Sequence, residues 1–165
     1  MKAILKIDNK EIEVEVSKEQ IEKLTDKKKN PFARVKKDYT FYFIDATGNV
    51  DEDIDCRTPV DNKSFAVANY CTDYDLIQQQ AYRETLNRLL WRWQYENDEP
   101  CDWENNLCNK WFIGCDYDRN NEIYADYLSV NFKDLNVFFT TREKAEQAIE
   151  EVIKPFMAEH PDFVW

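Results

Sequence analysis

The chain has 165 residues and a formal net charge of −11, a length that suits one domain with a substantial buried core. Aromatic residues make up 15% of it and glycine occurs only twice. The first figure argues against intrinsic disorder, and the second excludes the glycine-rich phosphate loops of P-loop and dinucleotide-binding enzymes. No apolar run approaches the roughly 20 residues that a membrane helix needs. Five cysteines without a secretory leader point to a cytoplasmic chain with reduced thiols.

At the start of the chain, Ala3, Leu5 and Ile7 alternate with polar neighbours, as do Ile12, Val14 and Val16. Two such strands joined at Asp8-Asn9-Lys10 predict a hairpin. Ser17, with Gln20 three residues on, is a capping box that starts a short helix, and Pro31 lies beyond its end. Residues 27–38 read as an exposed, basic connector. Tyr39 to Ile44 is an aromatic strand, residues 45–49 a turn, and residues 51–55 an acidic loop. Phe65, Val67 and Asn69 alternate as a further strand.

Thr72, with Asp75 three on, starts the longest helix. Its apolar stripe of Leu76, Ile77, Ala81, Tyr82, Leu86, Leu89, Leu90 and Trp93 recurs every three or four residues. Glu84 precedes Arg88 by four, the favourable order for a helical ion pair. Strands return at 111–116, 123–132 and 137–139. Thr140 with Glu143 then caps a last helix whose stripe runs from Ala145 to Met157. His160 reads as a solvated tail residue beyond it.

The order of elements predicts an α+β fold, antiparallel sheet with helices on one face. Residues 1–38 form an N-terminal hairpin and short helix with the basic connector. Residues 39–165 form an acidic body. Its two halves, 39–100 and 101–165, share a ββ(β)α layout that reads as an internal duplication, with chance likeness the alternative. Charge divides one residue earlier: residues 1–37 carry +4 and residues 38–165 carry −15.

No pattern for catalysis, metal or cofactor emerges. Cys101, Cys108 and Cys115 are seven apart, whereas zinc ligands come in closely spaced pairs. One histidine gives acid–base chemistry a single candidate. Binding is the chemistry that remains. Residues 45–61 and 96–126 are rich in carboxylates and studded with aromatics. Asp51, Glu52, Asp53, Asp55, Asp98, Glu99, Asp102 and Glu104 are the candidate partner-binding acids, with Trp103 as the aromatic anchor. An acidic surface repels nucleic acid and anionic membrane and attracts basic protein surfaces. Arg83, Arg88 and Arg92 on the long helix read as partners of local acids.

Several motifs carry a resemblance. They are Tyr39-Thr40-Phe41-Tyr42-Phe43-Ile44-Asp45, Gly48-x-Val50, Asn69-Tyr70-x-Thr72, Asp102-Trp103 and Lys110-Trp111-Phe112-Ile113. Asp116-Tyr117-Asp118 and Phe138-Phe139-Thr140-Thr141 add to them. Across residues 39–153 the chain resembles small acidic proteins of phages and prophages of Firmicutes. Two features depart from the pattern: Ala68, where glycine is expected before Asn69, and the helix end Trp91-Arg92-Trp93.

The resemblance implies a phage accessory protein in a host cytoplasm and implies no activity. With the acidity, it leads to a non-enzymatic inhibitor of a bacterial defence system, such as a nuclease or CRISPR effector. Such an inhibitor would bind a host defence protein with a basic surface, in one version by mimicking nucleic acid. A phage structural or assembly component and a small-ligand sponge are the alternatives.

Overall fold

A computed structural model describes the backbone of residues 2–7, 10–15, 30–105, 107–129 and 136–165, with side chains from residue 30 onward. The fold is α+β, with antiparallel two-stranded sheets and helices. Strands β1 (Lys2–Ile7) and β2 (Lys10–Glu15) form the expected hairpin, with Leu5 opposite Ile12 and Ala3 opposite Val14. The helix expected from Ser17 lies outside the described residues.

β3 (Thr40–Ile44) and β4 (Val50–Ile54) form the second hairpin. Its turn is organised by Asp45, whose carboxylate accepts from the N–H groups of Thr47 and Asn49 at 2.8 and 2.9 Å. Gly48 has φ +95°, and a Cβ there would lie 2.8 Å from Thr85 Oγ1 and from the Arg88 guanidinium. Only glycine meets both demands. Residues 51–54, expected as a loop, are a strand. Tyr42 pairs with Glu52 and Phe43 with Asp51. Three acids in a row are tolerated because β4 is an exposed edge, where charge also deters pairing with other chains.

The strand expected at 65–69 is instead the helix α1 (Pro59–Ala66). Thr58 Oγ1 accepts from the Asp61 N–H at 3.2 Å, and Asp61 accepts in return from the Thr58 N–H at 2.8 Å. Pro59 takes the first helical position. This capping box and proline outweigh the short Phe65/Val67 alternation.

α1 ends in a Schellman motif: the Ala68 N–H donates to the Phe65 carbonyl and the Asn69 N–H to that of Ser64. The motif needs a left-handed residue, and Ala68 has φ +58°. This is the position where the phage-protein resemblance leads one to expect glycine. Ala68→Gly is therefore expected to raise stability by about 1 kcal/mol by relieving the Cβ penalty. Urea denaturation should show a higher midpoint at unchanged slope.

Beyond Ala68 the chain rejoins the sheet. The Asn69 side-chain amide accepts from the Ile44 N–H at 2.7 Å and donates to the Ile44 carbonyl at 2.8 Å, standing in for a strand neighbour. Cys71 and Tyr42 then exchange both backbone hydrogen bonds. Helix α2 (Tyr74–Asn97) follows, capped by Asp73. The expected cap, Thr72, is occupied elsewhere: its N–H and hydroxyl both donate to the Pro31 carbonyl.

The second half repeats this order. β5 (Lys110–Asp116) pairs with β6 (Glu122–Leu128), and Trp111 exchanges both backbone bonds with Phe139. The strand expected at 137–139 contributes that single bridge. Helix α3 (Arg142–Ala148) is capped by Thr141, again one residue after the expected Thr140. Thr140 is held by Asp98 as Thr72 is held by Pro31. Hairpin, bridge, tethered threonine and N-cap recur in one order in the two halves. α3 runs through a π-helical segment (Ile149–Ile153) into α4 (Lys154–Glu159). Pro155 has no N–H to give the preceding turn, and the widened turn closed by Lys154 N–H to Ile149 carbonyl absorbs it.

α2 is the spine. Ile77 and Ala81 pack with Tyr42, Ile44, Val50 and Cys71 under the β3–β4 sheet. Leu86, Leu90 and Trp93 join Phe139, Ala145, Ile149, Ile153, Phe156 and Phe163 in the larger core. α1 takes the other face of the β3–β4 sheet, its Phe65 edge-on to Tyr70 at 5.4 Å, which stacks on Phe41 at 4.1 Å. Thus one helix departs from the one-sided arrangement.

His160 is not a solvated tail residue. Its ring lies 4.5 Å from those of both Tyr82 and Phe156, because residues 162–164 fold back to hydrogen-bond Gln79. The Glu84–Arg88 pair does not form: Glu84 accepts from Gln80 and Arg88 donates to Thr85.

Candidate functional site

The structure sorts the candidate binding acids into three places. Asp55 is fully buried and cannot face a partner. One oxygen accepts from Arg34 Nε at 2.8 Å and from the Tyr70 hydroxyl at 3.0 Å. The other accepts from Arg34 at 3.1 Å and from the Arg57 N–H at 2.9 Å. The Arg57 guanidinium lies 3.4 Å away. The Arg34 guanidinium, then the Arg57 N–H and Tyr70 hydroxyl, hold its carboxyl well below the usual carboxylate range against the cost of burial. Within the described part of the connector expected at 27–38, most residues are exposed as expected, but Arg34 and Val35 are half-buried: Arg34 is tied to Asp55 and the Val35 N–H donates to Tyr70.

Asp51, Glu52 and Asp53 are exposed on the edge strand β4. Successive side chains of a strand point to opposite faces, so Glu52 points away from the other two. Asp98, Glu99, Asp102, Trp103 and Glu104 belong to the loop after α2. The β3–β4 hairpin packs on the N-terminal half of α2, a helix about 36 Å long. The two acidic segments therefore sit toward its opposite ends and do not converge.

The loop at 98–105 is anchored at several points. Asp98 accepts from the Thr140 hydroxyl and, at 2.7 Å, from its N–H. Asp102 accepts from the N–H groups of Glu104 and Asn105. Lys110 is buried, and its ammonium donates to the Asn105 carbonyl at 2.6 Å while lying 6.0 Å from the Trp103 ring. Trp103 is half-buried and meets Phe138 edge-on at 5.0 Å. The carboxylates of Asp98 and Asp102 are thus partly spent on shaping the loop, and those of Glu99 and Glu104 face solvent.

Held in this way, the loop forms one wall of a groove of about 1040 Å³. The opposite wall is the end of α2, with Trp91, Gln94, Tyr95 and Glu96. Val137 and Phe138 lie beneath, and Lys144 stands at the margin. Trp91 is 51% exposed and Tyr95 86%, so both present broad aromatic surface to solvent, four residues apart on one helical face. Glu96, Asp98 and Glu99 set three carboxylates beside them. Large aromatics next to carboxylates suit a cationic side chain, which gains from the ring faces and the charge together.

Trp91, Tyr95, Glu96 and Lys110 were missing from the candidate residues. The signal for the first two is in the sequence: both stand off the buried stripe of Leu86, Leu90 and Trp93, on the polar face of an otherwise amphipathic helix. Lys110 carries no local signal, since its burial depends on the loop folding over it.

Among the described residues, no group of three or more His, Cys, Asp or Glu side chains could hold a metal ion. No described helix is long and apolar enough to cross a membrane. Comparison with models of protein families, with curated proteins and with solved structures finds no match for the chain.

Proposed function

We propose that the chain is a non-enzymatic phage or prophage accessory protein that inhibits a bacterial defence machine, a nuclease or CRISPR-type effector, by docking on its basic surface. The observation that carries the docking is the solvent-facing pair Trp91 and Tyr95 beside Glu96, Asp98 and Glu99 in one groove. Exposed aromatics in a concave, charge-rimmed surface have the composition of binding hot spots. The phage setting and the defence target rest on the sequence motifs. The separation of the two acidic segments favours docking at one groove over an extended, phosphate-like array of carboxylates.

An infection assay tests the inhibition. Expression of the chain in a host with a nuclease-based defence should restore plaque formation by a phage that the defence restricts. A chain carrying Trp91→Ala and Tyr95→Ala should restore none. Equal protection by both chains would contradict the assignment of the groove, and protection by neither would contradict inhibition of that defence.

A further inference from the structure

The groove does not end at Trp91. Asn136 and Val137, which line it, also line a second cavity of about 580 Å³. Leu90, Phe139 and Phe163 floor this cavity, and Arg83 and Asn87 border it on α2. Arg83, Asn87, Trp91 and Gln94 follow one another at three- and four-residue steps, which places them on one face of the helix, and Asp98 caps its end. Both cavities therefore open on the same side of α2 and share one wall.

The two ends differ in charge. Glu96, Asp98 and Glu99 stand at one. At the other, Arg83 and Glu84 both line the cavity and offset one another in charge; Arg83 makes a 3.4 Å contact to the Val164 carbonyl and has no ion pair among the described residues. From Arg83 to its last residue, Asn97, the helix rises about 21 Å, the reach of an extended segment of roughly six or seven residues. Asn87 and the Tyr95–Asp98 turn are about 12–16 Å apart along the axis, or roughly four extended residues.

We infer that the partner segment enters as an extended stretch along α2, setting a lysine or arginine against Trp91, Tyr95 and the carboxylates and an apolar side chain in the Leu90–Phe139–Phe163 cavity. This rests on the protein-binding reading above and deepens it. The excess of carboxylates at one end and the apolar floor at the other fix the direction: the cationic residue lies toward Trp103, and the apolar residue about four positions away lies toward Arg83. A large aliphatic or aromatic side chain matches a cavity of this size and lining.

The test is selection of displayed random heptapeptides on the immobilised full chain. The expected enrichment is a lysine or arginine with leucine, isoleucine, methionine or phenylalanine about four positions away. A synthetic peptide of that consensus should bind Asn87→Trp and Asn87→Arg, which fill the cavity mouth from an exposed position, at least tenfold more weakly. Enrichment of basic residues without an apolar partner, or undiminished binding by both Asn87 variants, would overturn the continuous groove and leave the basic-partner reading standing. Selection of no basic residue would overturn both.

Discussion

Asp55→Asn is expected to lower folding stability by about 2–4 kcal/mol, the largest effect of any single substitution of a polar group here. The carboxylate is fully buried and accepts from Arg34, Tyr70 and the Arg57 backbone. An asparagine keeps the shape but removes the charge. It also turns an NH₂ group toward donors on at least one side, so that a buried donor is left without an acceptor. Arg34 and Arg57 retain some access to water, which keeps the loss below that of a sealed ion pair. Urea denaturation at neutral pH measures the difference, and a loss under 1 kcal/mol would contradict the account of this cluster.

The same group sets a pH dependence. The folded carboxyl titrates below its unfolded value, so the unfolded chain binds the proton first as pH falls. The contribution is fully present above about pH 4 and is lost progressively as pH falls through the ordinary carboxylate range toward the depressed folded value. Stability of the wild type and of Asp55→Asn should therefore converge in acid and diverge toward neutrality. A difference that stays constant over that range would show that the charge of Asp55 does not drive it.

Trp91→Ala and Tyr95→Ala carry the second large effect, on binding and not on folding. Truncated aromatic hot spots cost about 2–4 kcal/mol each, so each variant should weaken the complex by about 30-fold or more. Both side chains are exposed, so stability should change by less than about 1 kcal/mol. Circular dichroism melts separate the two readouts. Phe138→Ala, beneath the groove and buried, is the contrasting change, expected to lower the melting temperature as well. If the exposed aromatics cost folding and not affinity, the groove is a structural surface.

The elements that were legible in sequence are those whose signals are local. The first hairpin follows from alternation around Asp8-Asn9-Lys10, β3 from its aromatic run, and α2 from a stripe repeated over about five turns; β4 does not, because its three consecutive acids read as a loop. α1 was misread because Phe65 and Val67 alternate over too short a span to oppose a capping box, and the box at Thr58 and Asp61 decided the outcome. The caps of α2 and α3 lie one residue beyond the expected ones for a different reason. Thr72 and Thr140 have the right chemistry to cap, but tertiary partners at Pro31 and Asp98 take them away from the helix.

The site was half legible. Trp103 and its acidic neighbours were found by composition. Asp55 was grouped with the exposed acids because its partners Arg34 and Tyr70 are distant in sequence and nothing local distinguishes it from Asp53. Trp91 and Tyr95 passed unnoticed as binding residues because the helix was read for what it buries, and these two matter for what they leave exposed.

The most direct measurement is affinity capture with tagged wild-type chain and the Trp91→Ala/Tyr95→Ala variant from a lysate of a defence-bearing host, at about 0.15 M and 1 M salt. Raising salt over that range shortens the screening length from about 8 to 3 Å. The account predicts that the wild type captures a nuclease or effector subunit at low salt, releases most of it at high salt, and that the variant captures little at either. Capture that is equal for both chains and indifferent to salt would contradict docking through an acidic, aromatic groove.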